Sequence, residues 1–223
     1  MLKLLDLFCG AGGASRGYAL AGFEITGIDL KHGKRYPFKY IKGDVLAYLK
    51  DLDFLRSFDV IHASPPCQTH SITQHLRKAQ GKTTSKLDLI PETRAALIAS
   101  GKPYIIENVV GSPLINPVLL CGSAFGLKVR RHRLFESNLA LTGTNCKHKE
   151  QGRPIGVYGS MRDEIPKGGK TADSIGQALD AMGITNMIWS ELVEAIPPTY
   201  TEFLGNQITT LIMTRPKSCV TIV

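Results

Sequence analysis

The alternation of apolar and polar positions predicts strands and helices in turn along the first half of the chain. Five short apolar runs have the length of strands, at residues 2–8, 24–28, 40–42, 58–63 and 104–106. Helical patterns occupy residues 13–21 and 91–100, and Gly22 and Gly101 follow them as helix stops. Strands that alternate with helices are typical of βαβ units. The pattern therefore predicts an α/β fold with a mostly parallel sheet and helices on both faces.

The pattern changes after Glu136. Residues 138–172 are rich in Gly, Lys, Thr and Asn and show little periodicity, which predicts loops or a very small lobe. Helical periodicity returns over residues 172–187 and 203–213, and the residues from Arg215 onward resemble a tail. The second half is therefore expected to add little to the sheet.

Charge and cysteine content narrow the class of protein. The 223 residues carry 27 Lys plus Arg against 19 Asp plus Glu, a formal charge of +8. This balance is compatible with a polyanionic partner and equally with a basic protein that has none. The five cysteines are odd in number and scattered, which favours reduced thiols. With no apolar run near the roughly 18 residues of a membrane span, we expect a cytoplasmic protein without membrane contact.

Chemically capable residues come directly after the predicted strands. They are Cys9-Gly10, Asp29, Asp44, Pro66-Cys67 and Glu107. The carboxyl ends of parallel strands meet at one edge of a sheet, and open α/β sheets bind their ligands there. We therefore expect these residues to converge on one site.

The first candidate motif runs from Asp6 to Gly13, where a strand enters a glycine-rich turn and a helix. Such a turn lets a ligand approach the backbone closely. An acidic residue about 20 positions onward can hold ribose hydroxyls, which here would be Asp29. Asp44 could accept a hydrogen bond from an adenine amino group. A turn or helix cap is the alternative for both aspartates, and the residues alone favour it.

The second motif, Ser64-Pro65-Pro66-Cys67-Gln68, presents a thiol behind two prolines. The prolines restrict the backbone and end the strand. Most cysteines are small buried apolar residues, but polar residues follow Cys67. These features predict a reactive thiol, which needs thiolate character from cationic or dipolar neighbours.

A carboxylate and two arginines complete the candidates. Glu107 ends a buried strand, where loss of solvent would raise its pKa and let it donate a proton. If Arg130–Phe135 is a strand, Arg131 and Arg133 lie on one face and suit a phosphate or the polar edge of a base. The alternatives are a structural salt bridge for Glu107 and a solvated charge run for the arginines.

Together and in this order, the motifs resemble those of the DNA cytosine-C5 methyltransferase family. The resemblance covers residues 1–136 and about 189–213. Its parts are the first cofactor motif at 6–13, Pro-Cys-Gln at 66–68, Glu-Asn-Val at 107–109, Arg-x-Arg at 131–133 and the last motif at 196–206. The resemblance implies a Rossmann-like S-adenosylmethionine-dependent methyltransferase fold in a compact form similar to stand-alone phage enzymes.

The resemblance also implies a reaction. A methyl group would pass from S-adenosylmethionine to C5 of a flipped-out cytosine while Cys67 is bonded to C6. Glu107 would bond N3 and the exocyclic amine, Arg133 would hold the O2 edge, and Arg131 would support the active-site loop. Pro66 is expected beside the nucleophile. The base must leave the stack because C6 cannot be reached inside a duplex.

The expected cofactor contacts come from the first turn, from strand ends and from the last motif. They are Phe8, Cys9, Gly10, Ala11, Gly12, Gly13, Asp29, Leu30, Asp44, Val45, Pro65 and Asn206. Residues 69–85 are polar and basic and are expected to close over the base.

The chain departs from the family pattern after Ser137, where the interval before the last motif is short for a target-recognition domain. We expect a catalytic and cofactor-binding domain at 1–136, a reduced recognition segment at 137–172, completing helices at 173–215 and a tail at 216–223. Base readout needs a wide surface, so a short or relaxed target sequence is expected. The predicted contacts are Arg153, Arg162, Lys167 and Lys170, within residues 152–170.

Several alternatives stay open. The substrate is expected to be double-stranded DNA, met by a monomer in a bacterial or phage-infected cell, but an RNA cytosine-C5 enzyme or a catalytically silent DNA-binding relative is also compatible. A group other than methyl is a further alternative. Cys146 and His148 could bind a metal with Cys121 or His132. Zinc sites usually show paired ligand spacings, and with only one close pair a polar loop is favoured and no metal is expected.

Overall fold

The computed structural model describes residues 1–31, 33–66, 88–159, 164–165 and 169–214, without the side chains of 164, 165 and 169. Several predicted residues lie outside this range: Cys67, the predicted closing loop at 69–85, Arg162, Lys167 and the tail at 216–223.

Seven strands of the described residues form one sheet in the order β3-β2-β1-β4-β5-β7-β6. The strands are β1 (Lys3–Leu7), β2 (Glu24–Asp29), β3 (Lys39–Lys42), β4 (Val60–Ala63), β5 (Tyr104–Asn108), β6 (Val118–Leu120) and β7 (Arg133–Ser137). The first five run parallel, β7 pairs antiparallel with β5, and β6 pairs antiparallel with β7. The predicted mostly parallel sheet is confirmed.

Helices cover both faces of this sheet. They are α1 (Gly13–Leu20), α2 (Val45–Tyr48), α3 (Leu52–Arg56), α4 (Ile90–Ser100), α5 (His148–Gln151), α6 (Ile175–Met182), α7 (Trp189–Leu192) and α8 (Pro198–Thr214). Successive strand residues alternate between two apolar clusters, since Leu4 packs with Tyr18 of α1 whereas Leu5 packs with Leu97 of α4. This period of two explains why the central strands are buried on both faces.

Helix ends follow local chemistry. Gly101 ends α4 with a φ of 72°. The helix predicted over 172–187 begins later, because the Ser174 hydroxyl accepts from the backbone N–H of Gln177 at 3.1 Å and caps α6. The last helix begins earlier than predicted, at Pro198, because proline is accepted in a first turn. Among the described residues, no helix is long and apolar enough to cross a membrane.

Helices α1 and α8 pack closely through glycines. A Cβ on Gly17 would lie 2.0 Å from the Pro198 carbonyl oxygen, and a Cβ on Gly205 would lie 2.6 Å from the Cβ of Ala21. Only glycine allows this approach. Because both helices run in the same direction, Ile196 lies beside Gly13, at the start of α1.

The segment after β7 contains a second, smaller sheet. Within the described residues it has three strands, β8 (Ile155–Gly156), β9 (Glu164–Ile165) and β10 (Gly169–Thr171), in the order β8-β10-β9. Val157 and Ala172 pack with Ala178, Met182 and Leu192 in a third apolar cluster. The segment with little periodicity therefore has a small core of its own, which joins it to α6 and α7.

Candidate active site

The predicted site residues leave the large sheet side by side. Leu7 pairs with Ala63, and Ala63 pairs with Ile106. The residues that follow these three positions therefore emerge together at the carboxyl edge of β1, β4 and β5. The Pro-Pro segment, which follows β4, therefore lies next to Glu107, and the glycine-rich turn, which follows β1, lies one strand further along the same edge.

Glu107 is a buried carboxylate with a charged partner. Glu107 is 6% exposed, and its Oε1 lies 2.9 Å from Nε of Arg133. Burial raises the pKa of Glu107, while Arg133 and a hydrogen bond from Ser64 oppose the shift. The side chain therefore keeps a proton to higher pH than an exposed glutamate does.

A chain of buried hydrogen bonds reaches Glu107 from α1. The Tyr18 hydroxyl lies 3.0 Å from Nδ1 of His62, and Nε2 of His62 lies 2.9 Å from Oγ of Ser64. Burial lowers the pKa of His62 to about 3, so the imidazole is neutral and has one donor and one acceptor nitrogen. Since Ser64 donates to Glu107, Nε2 donates to Ser64 and Nδ1 accepts from Tyr18. The chain orients the carboxyl group from one side.

Asn108 holds the segment that leads to Cys67. Its Nδ2 donates to the Pro65 carbonyl oxygen at 3.0 Å, and its Oδ1 accepts from the Val109 N–H at 2.9 Å. Pro65 is buried and Pro66 is exposed. The end of β5 therefore fixes the backbone two residues ahead of Cys67.

The glycine-rich turn leaves open space beside it. Phe8 and Gly10 have φ values of 60° and 51°, and a Cβ on Gly10 would meet no atom within 4 Å. The carboxylate of Asp29 accepts from the backbone N–H groups of Gly10 and Lys31, both at 3.0 Å. Asp29 is half-buried and Leu30 is 64% exposed. An exposed turn, a carboxylate and an apolar side chain at strand ends fit a nucleoside group.

Residues 2–112 match the family model of the C-5 cytosine-specific DNA methylases, a span that includes the turn, the Pro-Pro segment and Glu107. The chain belongs to the C-5 cytosine-specific DNA methylase family. Members of this family use S-adenosylmethionine as cofactor.

A relative with a similar sequence supports membership of this family. The chain is 26% identical to the Type II methyltransferase M.NgoPII of Neisseria gonorrhoeae over an alignment of 223 positions, which covers 88% of this chain and 59% of that protein. It therefore spans about three fifths of the length of this relative.

Solved structures share the fold. A candidate DNA modification methyltransferase encoded within an E. coli prophage has a TM-score of 0.64 at 12% identity, covering 96% of this chain and 100% of its own. The S. pombe Dnmt2 methyltransferase has a TM-score of 0.57 at 16% identity, covering 96% and 99%. Both support the Rossmann-like methyltransferase fold of this methylase.

The two arginines of the Arg-x-Arg motif are not a pair on one strand face. Arg131 precedes β7, has a φ of 37° and is 2% exposed. Its guanidinium donates to the carbonyl oxygens of Ala195 at 2.8 Å, Val157 at 3.1 Å and Val193 at 2.6 Å. The predicted shared face is therefore wrong, because Arg131 holds α7 and the small sheet while Arg133 holds Glu107.

Three predicted cofactor contacts are placed differently from the expectation. Asn206 is exposed on α8 one residue after Gly205, which packs near the end of α1, away from the turn. The side chain of Val45 is 2% exposed and packs in the core. Asp44 caps α2 by accepting from the Leu46 N–H at 3.0 Å. Of the last motif, Ile196 lies nearest the start of α1.

The other predicted residues of the turn connect β1 to α1. Cys9 packs in the core with Tyr36, and burial raises the pKa of its thiol. The Gly12 backbone, with a φ of 84°, caps α1. Ala11 and Gly13 continue the turn into the helix, where Ala11 is half-buried and packs against the third apolar cluster.

Four residues that support the site had no role predicted from the sequence. Asn108 and Ser64 lie inside the Glu-Asn-Val motif and the motif of Cys67, where a polar side chain indicates a hydrogen bond. His62 is a histidine within an apolar strand, which signals either a buried hydrogen bond or a ligand. Tyr18 carries no comparable signal, because only packing brings α1 over β4.

Proposed function

We propose that this chain transfers a methyl group from S-adenosylmethionine to C5 of a flipped-out cytosine in DNA, with Cys67 as the covalent nucleophile. One observation carries the proposal. A buried Glu107 with a raised pKa is paired with Arg133 beside the backbone segment that leads to Cys67. In a cytosine-C5 methylase this is the arrangement that ring activation requires.

Glu107 and Arg133 act on the pyrimidine ring. Attack of the Cys67 thiolate on C6 forms the S–C6 bond and moves negative charge into the ring toward N3. Protonated Glu107 donates to N3 and stabilises that charge, and burial favours its protonated form. Arg133 lies beside it and holds the O2 edge. These contacts strengthen as charge develops, so they lower the barrier more than they improve binding.

S-adenosylmethionine supplies the electrophilic methyl group. C5 takes the methyl group, the C5 proton passes to solvent or a base, and elimination of Cys67 breaks the S–C6 bond and restores the ring. The base has to be outside the stack for any of these contacts to form. Pro66 keeps the backbone ahead of the nucleophile rigid.

The turn between β1 and α1 is proposed to hold the cofactor. Asp29 already accepts two backbone N–H groups, and carboxylate oxygens have further lone pairs for ribose hydroxyls. Leu30 and Phe8 offer apolar surface at the same edge. Gly10 leaves the space for close approach.

The small lobe is proposed to read a short or relaxed target sequence in double-stranded DNA. Arg153 is exposed, and Lys170 forms an ion pair with Asp173, three residues further along the chain. A net charge of +8 favours a polyanionic partner. We further propose that the protein acts as a monomer in the cytoplasm of a bacterial or phage-infected cell. The experiment must distinguish this proposal from two alternatives, namely an RNA substrate and a DNA-binding role without catalysis.

The test is incubation with S-adenosylmethionine labelled in its methyl group, in parallel with unmethylated duplex DNA and with tRNA. Nucleoside mass spectrometry should detect 5-methyl-2′-deoxycytidine from the DNA. Label found in tRNA instead would replace the proposed substrate. Binding of DNA without label in either polymer would identify a silent relative. Sequence-resolved mapping of the product gives the target.

A second measurement tests the nucleophile. Duplex DNA with 5-fluorocytosine at a target site cannot lose its C5 substituent as a proton, so the covalent adduct persists. Peptide mass spectrometry should place the adduct on Cys67. The Cys67→Ser variant should give none, and Cys219→Ser, outside every motif, serves as the matched control. An adduct on another cysteine would reassign the nucleophile.

A further inference from the structure

Four potential metal ligands converge where β6 ends and β7 begins, beside the Glu107 site at the same edge of the sheet. Cys121, His132, Cys146 and His148 each direct one ligand atom to the same place, and these atoms all lie within 4.8 Å of one another. Cys121 follows β6, and His132 precedes β7. Cys146 lies two residues before α5, and His148 is the first residue of α5. We call these four residues the cysteine–histidine cluster.

The distances in the cluster match one metal coordination sphere. Sγ of Cys121 lies 3.2 Å from Nε2 of His148, and Sγ of Cys146 lies 3.3 Å from Nε2 of His132. In a tetrahedral zinc site, with bonds of about 2.3 Å to sulfur and about 2.0–2.1 Å to nitrogen, neighbouring S and N atoms lie roughly 3.5 Å apart. A slight expansion of the cluster would admit the ion.

The backbone around the cluster is held independently of any ion. The Lys147 N–H donates to Oγ of Ser123 at 2.9 Å, which brings the Cys146 loop to the turn after Cys121. Gln151 donates to the carbonyl oxygens of Leu127 and Val129 at 2.8 and 2.9 Å. The ligands are thus arranged before binding, which lowers the entropic cost of binding a metal.

We propose that the cysteine–histidine cluster binds one Zn²⁺ as a structural site. Two thiolates and two imidazoles are a ligand set of closed zinc sites, in which the protein fills all four positions. Binding releases the two thiol protons to solvent. The sequence-based expectation of a polar loop is revised here, because the fold supplies Cys121 and His132 to the one close pair.

The position of His132 defines what the zinc would do. It lies between Arg131, which holds α7, and Arg133, which pairs with Glu107. A metal bond to His132 would fix the start of β7 relative to β6 and α5. The ion would therefore act as a positioning element for Arg133 without touching substrate, independently of whether the proposed methyl transfer is correct.

The test uses the full chain purified without chelator from zinc-supplemented cells, with zinc counted per chain by plasma mass spectrometry. One equivalent is expected, and Co²⁺ exchanged for it should give the visible absorption of a tetrahedral thiolate site. The Cys146→Ser and His148→Ala variants should lose both signals. Cys67→Ser, whose cysteine belongs to the proposed nucleophile motif, should keep both.

A thermal melt separates loss of metal from loss of fold. A strong chelator should lower the wild-type Tm by at least about 5 °C and leave Cys146→Ser unchanged. Circular dichroism should show that Cys146→Ser, altered at an exposed residue, still folds. Wild type without bound zinc, or a folded Cys146→Ser that keeps one equivalent, would overturn the proposal. So would an intact mass lower by two hydrogens together with a peptide map that places the disulfide between Cys121 and Cys146.

Discussion

The carboxyl edge of the large sheet and the cysteine–histidine cluster share residues 131–133 but are built in different ways. At the edge, the neighbouring parallel strands β1, β4 and β5 bring Glu107, Ser64 and the glycine-rich turn together, because these strands end at the same level. The cluster depends on a loop that returns to β6 after β7. A repeated pattern of strands therefore predicts the first region, whereas the second depends on contacts between distant segments.

The two arginines show the same difference within one motif. Arg133 is a strand residue whose ion pair with Glu107 follows from the pairing of β5 and β7. Arg131 has a left-handed backbone, and the Tyr200 hydroxyl donates to its carbonyl oxygen at 3.0 Å. Arg131 is thus tied to the C-terminal helices, and the motif joins a chemical group to a structural one.

The largest expected effect is at the edge. Glu107→Gln should lower kcat by about 10²–10³, because an amide cannot give up a proton to N3 as charge develops. The pKa of Glu107 is raised, so the wild-type rate should decline as pH rises through that pKa, and the variant should lack this decline. Steady-state rates across pH measure both. Glu24→Gln, at the exposed opposite end of β2, should behave as wild type.

The next effect separates the arginines. Arg131→Lys should lower the free energy of unfolding by about 3 kcal/mol, because an ammonium group cannot reach the separated carbonyl oxygens that the guanidinium bonds. Arg133→Lys should cost less stability and more activity. Urea denaturation and methyl-transfer rates on both variants measure the contrast. Equal losses of stability would contradict the division of roles.

Two asparagines at opposite ends of β5 give a matched comparison. Asn108→Ala should lower kcat by about tenfold while cofactor Kd is unchanged, because Pro65 loses its hydrogen bond. Asn138 braces the other end of β5, accepting from the Tyr104 N–H at 2.9 Å. Asn138→Ala should lose similar stability and keep its kcat. A decrease in kcat for both would mean that the effect is general destabilisation.

The smallest effect concerns the pH dependence of stability. The pKa of His62 is lowered to about 3 by burial, so its contribution to stability is present above its ordinary pKa and is lost as pH falls. The pKa of Asp6 is raised to about 7, chiefly by burial, so its contribution is present at low pH and is lost as pH rises toward 7. The free energy of unfolding, measured with urea between about pH 3 and about pH 7, has a slope against pH to which both groups contribute. We expect His62→Gln and Asp6→Asn to change this slope in opposite directions.

The sequence by itself determined the sheet and the chemistry at its edge. Apolar runs of strand length, glycine stops and polar residues at strand ends are local signals. They were sufficient to place Glu107 and the glycine-rich turn at one edge of a mostly parallel sheet. The roles predicted for Cys67 and for the cofactor contacts stay predictions.

Only the tertiary structure decided the partners of residues that lie far apart in the chain. Asn206 and Val45 carry no local signal of which side of a helix faces the core, so the packing of α8 on α1 and of α2 on the sheet assigned them. The carbonyl oxygens that bind Arg131 come from residues more than 25 positions away. The cysteine–histidine cluster has the same origin, since ligand spacing along the chain is irregular while the ligand atoms meet within 4.8 Å in space.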